Sequence, residues 1–104
     1  MKITLLGAGA WGTALAIAFA GKHAVTLWSR EADVTAELLA CRENRRFFPG
    51  YRLPDSVSVT TDFATAVADA ELLVVATPIA GLRPTAERLK GQGWVTPLVW
   101  VCRG

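Results

Sequence analysis

The sequence predicts an α/β fold with a doubly wound parallel sheet of five strands. Three observations support this prediction. A short apolar run at residues 2–6 ends directly on a glycine-rich segment, and an alanine-rich segment of helical character follows it. Further short apolar runs alternate with segments of helical length, as in parallel sheets. The composition, 52% hydrophobic and 19% charged, fits a sheet that is covered on both faces.

The first half of this sheet follows from local patterns. Residues 2–6 read as a buried strand, and the first helix is expected at residues 10–20, with Gly21 as its C-cap. A second strand is expected at residues 24–28 and a second helix at about 31–41. Parallel pairing of these two strands requires a right-handed crossover through the first helix.

The second half is predicted in the same way. Residues 57–60 alternate like a short third strand, and residues 62–68 form a short helix with Thr61 or Asp62 as N-cap. The apolar run 71–76 is typical of a central parallel strand. Residues 82–89 should be helical with Pro84 in the first turn, and residues 98–101 form the fifth strand. Because no covering helix follows in the sequence, we expect Val99 or Trp100 to stay open on one face and the chain to be truncated after strand five.

The segment 42–54 is too irregular for a long helix and too aromatic for a linker. One interpretation is a loop that Phe47 and Phe48 anchor to the core, which we favour because aromatic residues in loops most often pack. The other is a flap near a bound ligand, with Arg45 and Arg46 supplying positive charge near phosphates.

The glycine-rich segment has the spacing G-x-G-x-x-G between a strand and a helix, which predicts a dinucleotide-binding turn of the Rossmann type. Gly7 would allow the tight reversal, Gly9 the close approach of a pyrophosphate, and Gly12 the packing of helix on strand. The N–H groups and the positive dipole at the start of the helix favour the pyrophosphate charge.

The end of the second strand bears on the choice between NAD and NADP. NAD-selective sites place Asp or Glu there, whereas this chain has Ser29 and Arg30, with Glu31 one position later. Arg30 is predicted to contact the 2′-phosphate of NADP or to stack on adenine, which favours NADP(H), or the use of both cofactors, over NAD(H) alone. The alternative is that Ser29 caps the second helix and Arg30 is a solvated residue of its first turn.

The end of the fourth strand offers one more candidate. Pro78 follows it at the edge where open α/β sheets bind ligands, although a purely structural turn explains this proline equally well.

Several classes of function are disfavoured by composition. At 104 residues the chain is one domain at most, and its net charge of +2 comes from scattered basic residues, so we expect neither nucleic acid nor a membrane surface as partner. We identify no signal peptide and no bilayer-spanning stretch. Cys41 and Cys102 lack metal-ligand spacing and are expected to be reduced thiols, and no metal site is predicted. His23 is expected to be a solvated turn residue.

Longer motifs narrow the family. They are G-A-G-A-W-G-T-A-L-A at 7–16, L-W-S-R at 27–30, N-x-x-F-x-P-G at 44–50, L-P at 53–54, T-D-F at 61–63, V-A-T-P at 75–78 and V-W-V-C-R-G at 99–104. In this order they resemble the N-terminal cofactor-binding domain of NAD(P)-dependent glycerol-3-phosphate dehydrogenases. The resemblance covers residues 1–104 but only the first part of that family's chain, so the C-terminal helical substrate domain would be absent.

The resemblance implies reversible hydride transfer between dihydroxyacetone phosphate and sn-glycerol 3-phosphate with NAD(P)(H), supplying phospholipid synthesis. It implies a cytoplasmic enzyme that is a homodimer at full length. Ala10, Trp11 and Arg30 would line the cofactor site, and Arg103 stands where the family usually has a lysine that meets cofactor and substrate, which is not a neutral exchange. The principal catalytic lysine would lie in the absent domain. We therefore expect residues 1–104 to bind NADP(H) weakly and not to turn over substrate.

Two alternatives stay open from the sequence. One is another two-domain NADP-dependent reductase, of the β-hydroxyacid dehydrogenase or ketopantoate reductase type, against which the segment 44–54 argues. The other is a non-catalytic nucleotide-sensing module, because a fold alone does not determine function.

Overall fold

A computed structural model describes residues 1–77 and 82–101 of the chain. It contains a five-stranded parallel sheet, four helices and a two-stranded antiparallel sheet within these ranges. In chain order the elements are β1 (Lys2–Leu6), α1 (Ala10–Phe19), β2 (Ala24–Trp28), α2 (Ala32–Cys41), β3 (Glu43–Asn44), β4 (Phe48–Arg52), β5 (Ser58–Thr60), α3 (Phe63–Ala68), β6 (Leu72–Val75), α4 (Leu82–Gly91) and β7 (Leu98–Trp100).

The strand order of the large sheet is β5-β2-β1-β6-β7, and every pairing in it is parallel. The chain therefore moves outward from β1 in one direction and then returns to pair β6 on its other side. Such a reversal of strand order opens a crevice at the carboxyl ends of the central strands. Leu6, the last residue of β1, stands beside Trp28 of β2 and Val75 of β6 at this edge. The predicted doubly wound fold is confirmed.

Alternate residues of the central strand supply two hydrophobic clusters, because successive side chains of a strand point to opposite faces. Leu5 belongs to the cluster that includes residues of α1 and α2, and Leu6 belongs to the cluster that includes residues of α3 and α4. Thr4 is buried on the second face and satisfies its hydroxyl by donating to the Ala66 carbonyl at 2.8 Å. Helices therefore cover both faces of the sheet.

The helix ends agree with the predictions except at two positions. Asp62 caps α3 by accepting from the Thr65 N–H, and Pro84 lies in the first turn of α4, both as predicted. The prediction for Gly21 is wrong: α1 ends at Phe19, its C-cap is Ala20 in the right-handed region, and Gly21 does not have a positive φ. Ser29 does not cap α2, since Glu31 is the N-cap and Ser29 Oγ accepts from the Glu31 N–H ahead of the helix.

Residues 42–52 form a hairpin of β3 and β4 rather than the predicted irregular loop. Arg42 starts it in the left-handed region, with φ of 53°, where its side chain donates to the carbonyls of Pro54 at 2.5 Å and Val57 at 2.8 Å. Neither phenylalanine anchors the hairpin to the core. Phe47 is half exposed, and Phe48 stacks on Tyr51 within the hairpin.

The sheet ends on β7, where Val99 and Trp100 are 46% and 44% exposed. This exposure agrees with the expectation for the fifth strand. Among the described residues, none of the helices combines the length and the apolarity that crossing a bilayer requires.

Candidate dinucleotide-binding site

A cavity of about 420 Å³ opens at the carboxyl ends of β1, β2 and β6, where the strand order reverses. Its walls come from the glycine-rich turn, the end of β2, the start of α2, the hairpin, the end of β6 and α4. The residues that line it are Gly7, Ala8, Gly9, Ala10, Trp11, Trp28, Ser29, Arg30, Glu31, Val34, Phe47, Ala76, Thr77, Pro84, Thr85, Arg88 and Val101.

The glycine-rich turn has two positions that no side chain can occupy. Gly7 adopts φ of +122°, and a Cβ there would lie 2.8 Å from the Ala76 carbonyl oxygen. A Cβ on Gly12 would lie 1.8 Å from the Gly7 carbonyl oxygen, so the first turn of α1 rests directly on the turn itself. Both glycines are therefore required by the fold, independently of any ligand.

Gly9 differs from these two glycines. It has an ordinary extended conformation, with φ of −79°, and a Cβ there would meet no heavy atom within 4 Å. The protein itself thus leaves room for a side chain at this position. Gly9 also lines the cavity, so only a molecule inside the cavity would be obstructed by a larger residue.

The N-terminal end of α1 faces the same space. Gly9 is its N-cap, and the Thr13 N–H donates to the Gly9 carbonyl at 3.0 Å in the first bond of the helix. The start of a helix presents N–H groups that are not used by the helix's own bonding pattern, and the helix dipole adds positive potential there. Because Gly9, Ala10 and Trp11 line the cavity, this helix end is suited to an anionic group such as a pyrophosphate.

Asn44 ties the hairpin to the glycine-rich turn. Its side chain is 2% exposed, and Nδ2 donates to the Ala8 carbonyl at 2.7 Å and to Thr13 Oγ1 at 2.8 Å. Oδ1 accepts from the Phe47 N–H at 3.1 Å. One buried amide therefore connects the turn, the first helix and the hairpin residue that borders the cavity.

The end of β2 forms a second wall. Trp28 is buried, and its Nε1 donates to the Thr61 carbonyl at 3.0 Å, which holds the indole in place. Ser29 is buried next to it, whereas Arg30 and Glu31 are exposed at the rim. Within the described ranges, Arg30 makes no hydrogen bond or ion pair with another residue. The rim of the cavity therefore carries the guanidinium of Arg30, which no described residue binds, followed by the carboxylate of Glu31.

A cationic side chain from α4 completes that wall. The guanidinium carbon of Arg88 lies 5.6 Å from the ring centroid of Trp28 and 5.8 Å from that of Phe63. The two rings pack edge to face, with their centroids 4.9 Å apart. Contacts of this length are cation–π interactions, so Arg88 lies over an aromatic pair at the edge of the cavity.

The hairpin does not bring its arginines to the cavity. Arg46 Nη1 bonds Asp33 Oδ2 at 2.9 Å, and Arg46 Nε lies 3.6 Å from Glu37 Oε2, so its charge is already paired. Arg45 is exposed and does not line the cavity either. The hypothesis that Arg45 and Arg46 place positive charge near a ligand is therefore wrong, and Phe47 is the hairpin residue that lines the cavity.

The pKa directions are consistent with this pairing. The hydrogen bond from Arg46 is the largest cause that lowers the pKa of Asp33, and the same bond raises the pKa of Arg46. In α3, the hydrogen bond from the Thr65 hydroxyl lowers the pKa of Asp62. Both carboxyl pKa values are thus shifted in the direction expected when the ionised form accepts a hydrogen bond.

The predicted site residues are distributed as follows. Gly7, Gly9, Ala10, Trp11 and Arg30 line the cavity, whereas Gly12 packs against the Gly7 carbonyl and does not line it. Pro78 and Arg103 lie outside the described residues, as does Cys102.

Other candidate groups lie away from the cavity. His23 packs edge to face on Phe19, with centroids 6.3 Å apart, and is half-buried rather than solvated. Cys41 is exposed. Across residues 1–77 and 82–101, no three His, Cys, Asp or Glu side chains cluster as a metal site would require.

Sequence reasoning did not assign Asn44, Phe47 or Arg88 to the positions they have. The N-x-x-F spacing at 44–47 was a visible signal for the first two, since an amide three residues before an aromatic can accept that residue's N–H. Arg88 had no comparable signal, because it meets Trp28 only through the packing of α4 on the sheet.

Comparison with known proteins agrees with this geometry. The sequence model of the family described as NAD-dependent glycerol-3-phosphate dehydrogenase N-terminus matches residues 2–104. A curated protein of Dechloromonas aromatica named glycerol-3-phosphate dehydrogenase (NAD(P)+) is 72% identical, and one of the same name from Herminiimonas arsenicoxydans is 52% identical. Both alignments cover 100% of this chain and 32% of the relative, so the chain spans about a third of the length of these proteins.

Solved structures give the same result. The crystal structure of glycerol-3-phosphate dehydrogenase from Coxiella burnetii superposes with a TM-score of 0.92 at 31% sequence identity, covering 99% of this chain and 32% of that one. The family resemblance inferred from the motifs is thus confirmed. The chain belongs to the NAD-dependent glycerol-3-phosphate dehydrogenase N-terminal family.

Proposed function

We propose that this chain is the cofactor-binding part of an enzyme that interconverts sn-glycerol 3-phosphate and dihydroxyacetone phosphate with NAD or NADP. The observation that carries the proposal is the cavity at the reversal of strand order, with the N-terminus of α1 and the open side of Gly9 facing it. Membership of the family supplies the reaction and favours it over ketopantoate reductase-type enzymes and over a nucleotide sensor.

In this proposal the glycine-rich turn binds the pyrophosphate. Gly7 and Gly12 shape the turn, while Gly9, Ala10 and Trp11 present backbone and side chain to the dinucleotide. The bound nicotinamide would supply the hydride chemistry, and the protein would contribute position and electrostatics. Pro78 and Arg103 remain predicted contacts on sequence grounds, with Arg103 at the family's lysine position.

We infer a preference for NADP(H) over NAD(H). The support is the uncommitted guanidinium of Arg30 at the cavity rim and the absence of a carboxylate at the first two positions after β2. Glu31 follows one residue later and is the N-cap residue of α2. A guanidinium suits a phosphate dianion, whereas a carboxylate would repel it.

The wider role follows from the family. We propose that residues 1–104 are one NAD(P)-binding domain, and that substrate binding and catalysis need a separate helical domain. The complete enzyme would be a cytoplasmic homodimer that acts on a phosphorylated small molecule and supplies glycerol 3-phosphate for phospholipid synthesis.

The Gly9→Ala substitution tests the proposal. Since the protein leaves open space at Gly9, the melting temperature should stay nearly unchanged, while the Kd for NADPH rises by about tenfold or more through steric exclusion of the pyrophosphate. Nicotinamide fluorescence and calorimetric titration measure the Kd, and thermal unfolding measures stability.

Gly21→Ala is the matched control, because a Cβ at Gly21 would also meet no heavy atom within 4 Å and the residue lies away from the cavity. It should bind NADPH as the wild type does. Binding of NADPH and NADH to Gly9→Ala with wild-type affinity would contradict the proposal, as would failure of the wild type to bind either dinucleotide.

A further inference from the structure

Arg88 lines the cavity with a cationic side chain, although it belongs neither to the glycine-rich turn nor to the end of β2. It projects from α4 to the rim formed by Trp28, with its guanidinium carbon 5.6 Å from the indole centroid. Its neighbours Thr85 and Leu89 are buried, at 4% and 1% exposure, so the helix that carries Arg88 is firmly seated on the sheet.

The aromatic pair restrains the guanidinium but does not satisfy it. Trp28 and Phe63 offer ring faces, and a ring face does not accept a conventional hydrogen bond from the N–H donors of an arginine. Within residues 1–77 and 82–101, Arg88 donates no hydrogen bond and forms no ion pair. Arg46, by contrast, is held by two carboxylates.

The location of Arg88 identifies the part of a dinucleotide that it would meet. Trp28 ends β2, and in this fold the end of that strand faces the adenosine ribose, whereas the pyrophosphate lies at the first helix. Arg30 and Arg88 both line the cavity at this wall, and the carboxylate that lines it there is Glu31. Two guanidinium groups against one carboxylate leave a surplus of positive charge where NADP carries its additional phosphate.

We propose that Arg88 is a specificity-determining residue that, together with Arg30, binds the adenosine 2′-phosphate of NADP(H). The proposal rests on the function proposed above and adds a residue of α4 to the site. The rings of Trp28 and Phe63 hold the guanidinium over the rim, and its N–H groups donate to the phosphate oxygens. NADH has a hydroxyl at that position and gains little from the same contact.

The test is the ratio of the Kd values for NADPH and NADH in the purified protein carrying Arg88→Gln. Loss of a charge-assisted contact should raise the Kd for NADPH about tenfold and change the Kd for NADH less than about twofold. Adenosine 2′,5′-bisphosphate and 5′-AMP serve as competitors that differ in the 2′-phosphate alone. The bisphosphate should weaken in Arg88→Gln and 5′-AMP should not.

Arg83→Gln is the matched control, because Arg83 is an exposed arginine of the same helix that does not line the cavity. It removes the same charge and should leave the ratio of Kd values unchanged. Arg88→Lys keeps the charge without the planar fork and should give an intermediate ratio. Thermal unfolding of each variant establishes that it is folded.

The outcomes separate the two proposals. An unchanged ratio in Arg88→Gln, an equal weakening of both dinucleotides, or the same effect from Arg83→Gln would overturn the role of Arg88 while leaving dinucleotide binding intact. Failure of the wild type to bind NADPH and NADH would instead overturn the proposed function, and the role of Arg88 with it.

Discussion

The glycine-rich turn and the hairpin border the same cavity, but they are held in opposite ways. The conformation of the turn is determined by backbone sterics. Neither Gly7 nor Gly12 leaves room for a Cβ, because the Ala76 carbonyl lies against Gly7 and the Gly7 carbonyl lies against Gly12. The hairpin is held by side chains instead, chiefly by the buried amide of Asn44 and by Arg46 at the surface.

Because the turn and the hairpin are held in different ways, substitutions in the two regions should disrupt different parts of the structure. A side chain added at Gly7 or Gly12 would change the position of α1 relative to β1 and β6, at the centre of the sheet. Loss of an anchor in the hairpin releases a peripheral element and leaves the parallel sheet paired. Substitutions in the two regions, from the largest expected effect to the smallest, test this contrast.

Gly12→Ala should have the largest effect. The added Cβ would stand 1.8 Å from the Gly7 carbonyl oxygen, and neither backbone can move without disturbing the packing of α1. We expect destabilisation above about 4 kcal/mol, in the range of severe core defects, measured by urea unfolding. Gly91→Ala, in α4 with nothing within 4 Å of its Cβ position, is the control. A Gly12→Ala protein as stable as this control would refute the steric account.

Asn44→Ala should have the second largest effect. The substitution leaves the Ala8 carbonyl and the Thr13 hydroxyl without their buried donor and frees the Phe47 N–H. We expect a loss of about 2–4 kcal/mol, because buried polar groups that lose a partner are costly. Hydrogen exchange should accelerate in residues 43–52 more than in the parallel sheet.

Arg45→Ala is the control for that experiment, since Arg45 is an exposed neighbour in the same hairpin. It should change neither stability nor exchange. Uniform acceleration across the whole sheet in Asn44→Ala would show that the hairpin is not a separate unit.

The ion pair of Asp33 with Arg46 should have the smallest effect, visible in acid. The pKa of Asp33 is lower in the folded chain than its usual value of 3.8, chiefly through the hydrogen bond from Arg46. Its stabilising contribution is therefore complete above that usual value and is lost as pH falls through the folded pKa. Because both groups are exposed, salt should weaken the contribution as well.

Asp33→Asn should accordingly flatten the acid end of the stability profile and reduce its salt dependence, measured by thermal unfolding from neutral pH downward. Glu87→Gln, which removes an exposed carboxylate without a partner among the described residues, is the control. An acid profile of Asp33→Asn that matches the wild type would show that this pair does not stabilise the folded chain.

The parallel sheet was predictable from the sequence because its signals are local. The run 72–76, which contains β6, is apolar throughout and lies between Glu71 and Thr77, a pattern typical of a buried strand. Asp62 precedes a helix of the expected length and makes the expected cap. The end of α1 was misjudged because a glycine near a helix terminus need not adopt the left-handed conformation.

The hairpin was not predictable in this way. Its aromatic residues indicated packing, but whether Phe47 meets the core or the cavity depends on where Asn44 is tied, and Asn44 bonds residues far earlier in the chain. Similarly, whether Arg46 contacts a ligand or a carboxylate depends on its distance to Asp33, and no spacing in the sequence determines that distance.

The sequence by itself determined the order of the parallel strands and their helices, the glycine-rich turn and the family, since these depend on short-range sterics and on contiguous motifs. Only the tertiary structure decided which side chains share the cavity. In the folded chain Arg88 lies over Trp28, Phe47 lines the cavity, and Arg46 forms an ion pair with Asp33. The physical reason is that these contacts join residues distant in the chain, and their distances are set by how the helices pack on the sheet.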